Sequence, residues 1–200
     1  MDPALGTFSE DPRADWLTEP DDRRMRLLRD FWYDDPAGRR WPAPAGSVVD
    51  GASIPAALWS AVGSPYTGPY RRASIVHDVA CDTPAVPRAD ADKMFYQACR
   101  AGGCSAAYAE LLYAGVRIGA HLPRVRLWAG AAARPQLARG AAPAALADES
   151  IRTTFWEIAA DLDARRTTGT FASATAVADA DSFAQVAAIV DRHLAAKARQ

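Results

Sequence analysis

An aspartate lies within the apolar stripe of a helix, and that one residue constrains the fold more than any other. Arg88 to Arg100 (RADADKMFYQACR) has helical spacing, with Ala91, Asp92, Phe95, Ala98 and Cys99 along one face. A carboxylate among apolar neighbours is costly to bury unless it is paired. Asp92 therefore requires a partner from another element. The preceding segment, Tyr70 to Cys81, puts Ala73, Val76, His77 and Ala80 on one face, and a short loop with two prolines, Thr83 to Pro87, joins the two. Antiparallel packing is expected, with His77 facing Asp92.

A carboxylate bonded to one imidazole nitrogen fixes the tautomer and leaves the other nitrogen to take a proton from water. The same pair can equally serve as a satisfied core contact. Asp78 is one residue on, about 100° round the helix, so it points elsewhere, at a cation or at the Asp50–Ser53 loop. That loop offers a carboxylate and carbonyls, with Gly51 permitting close backbone approach; such hard oxygens suit calcium. A plain turn before a helix is the alternative for Asp50-Gly51.

The rest of the chain is organised around this centre. Residues 41–130 carry six acids and eight bases, fewer charges for their length than the flanking parts, and are rich in aromatics, so the core belongs there. Residues 1–23 lack sustained periodicity and read as an N-terminal arm. A β-hairpin is expected over 24–49, with turn chemistry at Asp34 to Gly38. Ser53 is placed as the N-cap of a short helix, Ala56 to Val62. Ser105 caps a further helix, Ala106 to Ala120, whose stripe is Tyr108, Leu111, Leu112, Gly115 and Val116. The core domain so drawn spans 24–128. An Ala/Pro-rich linker follows over 129–149, then a C-terminal helical extension over 150–200, with Ser150 capping Ile151 to Arg165 and a last helix from about Asp181 to Lys197.

Composition excludes some classes. Half of the residues are hydrophobic, so a core can be buried. A net charge of −1 argues against a general nucleic-acid binder, which needs a basic excess. The longest uncharged run, Gly51 to Tyr70, is broken by prolines and glycines, so no transmembrane helix is expected, and no signal peptide is visible. Cys81, Cys99 and Cys104 form no paired framework and are expected as reduced thiols, the latter two as small core residues. His121 reads as a partner of its helix C-terminus, and His193 as solvated.

The ordered run DGASIP, HD, AD-x-x-F and VR-x-G, within residues 24–120, resembles a phage-associated family of unknown function. More distantly, the loop, the HD helix and the second helix with an Asp shortly before a Phe resemble phospholipase A2 enzymes. That likeness implies a phospholipase A2-like helical core, mainly α with a small β-hairpin. It implies His77 as general base, Asp92 as the carboxylate orienting it, and Asp78, Asp50 and Gly51 as ligands of Ca2+. The activity implied is a calcium-dependent hydrolase acting on phospholipid or another envelope substrate. The alternatives are a non-catalytic component or accessory factor of a phage-like particle, contacting particle proteins through residues 150–200, and a metal-dependent cell-wall peptidase or amidase. The chain is expected to be cytoplasmic when made, with virion association as a further expectation.

Overall fold

Burial that alternates residue by residue builds the small sheets. The computed structural model describes residues 3–18, 24–63, 67–121, 142–168 and 176–199. In β4 (Phe31–Asp34) Phe31 and Tyr33 face inward; in β5 (Arg40–Ala43) Trp41 and Ala43 do so. The two form a hairpin in the register Tyr33↔Trp41. Its turn is held by Asp35, whose carboxylate accepts the Ala37 and Arg39 amides at 2.9 Å and the Trp41 indole N–H at 2.9 Å. Gly38, at φ 81°, takes the left-handed position. Pro42 is tolerated because β5 is an edge strand.

The single hairpin expected over 24–49 is replaced by two nested pairings. β3 (Arg24–Leu27) does not run on into β4; it pairs with β6 (Val48–Val49), which encloses the inner β4–β5 hairpin. Leu28, in the break, is half exposed, and Asp30 accepts the Ala45 amide at 2.8 Å, closing the inner hairpin at its base. The N-terminal arm is also more than an appendage. β1 (Thr7–Phe8) pairs with β4, and β2 (Ala14–Leu17) pairs with β3. The result is two three-stranded antiparallel sheets, in the orders β1-β4-β5 and β2-β3-β6.

Among the described residues six helices follow: α1 (Trp59–Val62), α2 (Arg71–Asp82), α3 (Arg88–Ala101), α4 (Ala106–His121), α5 (Ala142–Thr168) and α6 (Ala176–Lys197). The protein is thus mainly α with two small sheets. α2 packs on α3, α3 on α4, and α2 lies against β5. Ser105 caps α4 as expected, its Oγ accepting the Tyr108 amide at 3.2 Å. Ser53 caps nothing: the 3₁₀ turn Ala56–Leu58 begins behind Pro55, with no side-chain cap. The buried face of α4 also differs from the expected stripe, with Ala109, Tyr113 and Ile118 turned inward and Leu111 only partly buried.

The linker placed at 129–149 falls outside the described residues up to 141, as do 122–128 of the expected core domain. From Ala142 the chain is already helical, so Ser150 is interior to α5; its carbonyl accepts the Thr154 hydroxyl at 2.8 Å. The last helix begins at Ala176 rather than near Asp181. α5 and α6 bury Ile151, Phe155, Ile158, Leu162, Val186, Val190 and Leu194 and pack on α4. The extension therefore spends its inner apolar face on the protein's own core.

Candidate functional site

The antiparallel pairing of α2 and α3 brings His77 to Asp92. The imidazole Nε2 lies 2.8 Å from Asp92 Oδ1, and both side chains are 0% exposed. The Phe95 ring covers the imidazole at 4.7 Å between centroids. Asp92 has more partners than the sequence suggests. Arg88, one turn earlier, donates its Nε to the same oxygen at 2.9 Å. Arg117 of α4 directs a nitrogen to Oδ2 at 3.4 Å. One buried carboxylate thus serves three nitrogen bases, and its capacity as an acceptor is largely occupied.

Burial works against charge on both partners, and the pairing overrides it. Asp92 would be pushed up by desolvation, but His77 and Arg88 hold it below the ordinary carboxylate range. His77 would be pushed down by its burial, but the Cys81 sulfur and the Asp92 hydrogen bond raise it from 6.5 to about 9. The pairing thus favours the protonated ring at neutral pH. A general base needs the neutral form and a lone pair open to water; the sealing of His77 and its raised pKa both work against that role.

Asp78 does point away from Asp92, as its helical position requires. It accepts the Asp50 amide at 2.8 Å, which is the loop-anchoring alternative for this residue. Burial pushes its carboxyl up to about 6, against the Asp50 hydrogen bond. Gly51 turns the chain at φ 99°. These residues fit calcium poorly: an N–H aimed at Asp78 sets its positive end against the oxygen a cation would need, and a desolvated carboxyl raised toward neutrality is a weak hard-ion ligand. Asp78, Asp50 and Gly51 are together in space, but as a loop anchor.

Cys81 completes the cluster one turn after His77. Its Sγ lies 3.5 Å from Nε2 and 3.8 Å from Nδ1, and the residue is partly exposed. Ligand atoms of His77, Cys81 and Asp92 lie within 4.8 Å of one another. That spacing suits a metal with mixed N, S and O ligands. Two guanidiniums already on the carboxylate oppose a dication there.

Arg88, Arg117 and Cys81 were the site residues missed in the sequence. Arg88 carried a local signal, being four residues before a buried acid on the same helix. Arg117 lies in VR-x-G, and its partner is apparent only once α4 is packed. The glycine of that motif matters for a different reason. A Cβ on Gly119 would lie 2.2 Å from the Ser53 carbonyl oxygen, so its absence lets α4 close on the DGASIP loop. Gly115, one turn earlier, faces Ile54.

Among the other expectations, Cys99 and Cys104 are buried core residues. His121 takes the expected C-terminal place, its Nδ1 2.9 Å from the Arg117 carbonyl oxygen. His193 is not simply solvated: its Nε2 lies 3.0 Å from Asp161 on α5. No helix among the described residues is long and apolar enough to cross a membrane.

No solved structure matches the chain. Two curated relatives, both from Sinorhizobium fredii (strain NBRC 101917 / NGR234), carry the names Uncharacterized protein y4jT and Uncharacterized protein y4iH. The first is 40% identical over 109 residues, 54% of this chain and 32% of the relative; this chain thus spans about a third of its length. The second is 32% identical over 160 residues, 75% of this chain and 67% of the relative. The family described as Protein of unknown function (DUF1353) matches residues 25–116, a stretch that runs from β3 into α4 and holds His77, Cys81, Arg88 and Asp92. With two thirds of a relative spanned at 32% identity, the chain belongs to the DUF1353 family.

Proposed function

We propose that the protein is a non-catalytic assembly component, and that its HD and AD residues form a structural clasp rather than an active site. One observation carries this reading: His77 and Asp92 are both 0% exposed, with the carboxylate held by two arginines as well as the imidazole. Water has no access to an unoccupied imidazole nitrogen. Two concavities lie away from this pair, one beside Trp16, Arg24, Arg26 and Val48, the other beside His121, Ser150 and Leu194. The resemblance of the DGASIP, HD and AD pattern to phage-associated chains favours an accessory component of a phage-like particle as the setting.

The second reading is a hydrolase with a phospholipase A2-like core. It is favoured by the 2.8 Å contact of an imidazole with an acid across antiparallel helices. It requires the site to open and His77 to shed a proton. One assay separates the two: fatty-acid release from mixed phospholipid vesicles by the intact protein, with calcium and with EGTA. The clasp reading predicts no release above background in either condition. Calcium-dependent release that is lost in His77→Ala would overturn it.

A further inference from the structure

We propose that Cys99 and Cys104 are a preset dithiol, which exchange with a small oxidised thiol such as glutathione disulfide converts to an intramolecular disulfide. The backbone at the end of α3 places the two residues. Gly103 takes the left-handed region at φ 100°. The Cys104 amide donates to the Cys99 carbonyl oxygen at 3.0 Å, and the Gly103 amide donates to the Arg100 carbonyl oxygen at 3.0 Å. These nested bonds make the glycine-ended helix terminus in which the residue after the glycine folds back on a side chain of the last helical turn. Here both of those side chains are thiols. Covalent lengths on either side of the first bond hold the two Cα atoms within about 7 Å, and a disulfide spans about 4–7 Å.

The side chains follow the backbone. The two thiols are hydrogen-bonding neighbours of each other, and both adjoin Tyr70 and Tyr108. Cys99 is 0% exposed and Cys104 5%, so Cys104, between exposed Gly103 and Ser105, is the sulfur an outside reagent meets first. The turn has room to adjust, since a Cβ on Gly103 would meet nothing within 4 Å. The exchange balances in two steps. The Cys104 thiol loses its proton to water, its sulfur attacks one sulfur of glutathione disulfide, and one glutathione thiolate leaves. Cys99, giving up its own proton, attacks the Cys104 sulfur of the mixed disulfide, and the second glutathione leaves. The protein loses two electrons, and the glutathione disulfide is reduced to two thiols. The new bond joins the end of α3 to the start of α4, the helices that carry Asp92 and Arg117.

The test equilibrates the intact protein in buffers of varied reduced-to-oxidised glutathione ratio, quenches with acid, alkylates the remaining thiols and maps the peptides by mass spectrometry. The same chain in strong urea is the reference for an unfolded pair. The expected product is a Cys99–Cys104 bridge, two hydrogens lighter and reversed by dithiothreitol, with Cys81 outside it. Half-oxidation of the folded chain is expected at a ratio at least about tenfold more reducing than in urea. In Cys99→Ala, glutathione should remain on Cys104 at about ten times the wild-type level or more. Alkylation of both Cys99 and Cys104 in the folded chain overturns the proposal, as does a bridge that involves Cys81. A midpoint no more reducing than in urea also overturns it, because the fold would then contribute nothing to the pairing. These readouts on the wild type stand whether or not the variant folds.

Discussion

Arg117 donates to Asp191 at 2.7 Å while its other terminal nitrogen lies 3.4 Å from the sealed Asp92. A single guanidinium thus connects the last helix to the polar centre of the core. The two ends of this link differ in environment: the Asp191 side chain is 54% exposed, and Asp92 is closed off. Exposed ion pairs contribute little, whereas removing one partner of a buried charge is costly. Asp191→Ala should therefore lower unfolding stability by less than about 1 kcal/mol. Arg117→Met should cost about 3 kcal/mol or more, by leaving Asp92 short of a partner. Urea denaturation with matched slopes checks both.

Asp92 is the hub, so its loss should be the most severe. Asp92→Asn keeps the shape but leaves His77, Arg88 and Arg117 around a neutral amide. A cost of about 3–5 kcal/mol is expected, read as a large fall in Tm. A double-mutant cycle with His77→Gln should show strong coupling; additive losses would mean that the two residues act independently.

The pH dependence follows from His77. Its proton is bound more tightly in the folded chain, with pKa about 9, than at its ordinary 6.5. The resulting stability is complete below pH 6.5 and is lost as pH rises through about 9. The shift corresponds to a loss on the order of 3 kcal/mol. Asp92 acts in the opposite sense and at lower pH: held below the ordinary range, it contributes stability above pH 3.8 that is lost on acidification. Denaturation midpoints between pH 6 and 9.5 should fall steadily for the wild type and stay nearly flat for His77→Gln.

A second buried carboxylate ties the C-terminal helices down. Glu110 of α4 is 1% exposed and accepts from Arg165 and Arg166 of α5, each at 2.5 Å. Glu110→Gln should leave the sheets and α2–α3 intact while loosening α5. Limited proteolysis should then cut first within or beside α5, earlier than in the wild type.

The DGASIP loop is seated by the absence of a side chain. Because a Cβ at Gly119 would strike the Ser53 carbonyl oxygen, Gly119→Ala should cost about 1–3 kcal/mol, as overpacking does. Thermal melting checks it; a neutral effect would show that loop and helix can part without strain.

The core helices were legible because their apolar periodicity was strong, and the His77–Asp92 contact because a buried acid requires a partner. The sheets were less so. The charged run from Arg24 to Tyr33 looks like one strand, and the break at Leu28 depends on Asp30 and Gly46 closing a turn fifteen residues later. β1 and β2 are short, and their pairing is decided by strands distant in sequence. Ser150 looked like a cap because Ser before an apolar run often is one, yet α5 starts eight residues earlier. Cation and loop draw on the same Asp78 oxygens, so the sequence does not separate them; the Asp50 amide bonded to Asp78 is a backbone N–H, which has no sequence signature.

On the clasp reading His77 is a buried imidazolium rather than a base facing water, and long-range ¹H–¹⁵N NMR of its ring nitrogens reads out that state. The clasp predicts that both His77 nitrogens are protonated at pH 7, exchange slowly with solvent and titrate near pH 9. One unprotonated His77 nitrogen at pH 7, with a ring proton in rapid exchange with water, would contradict the account.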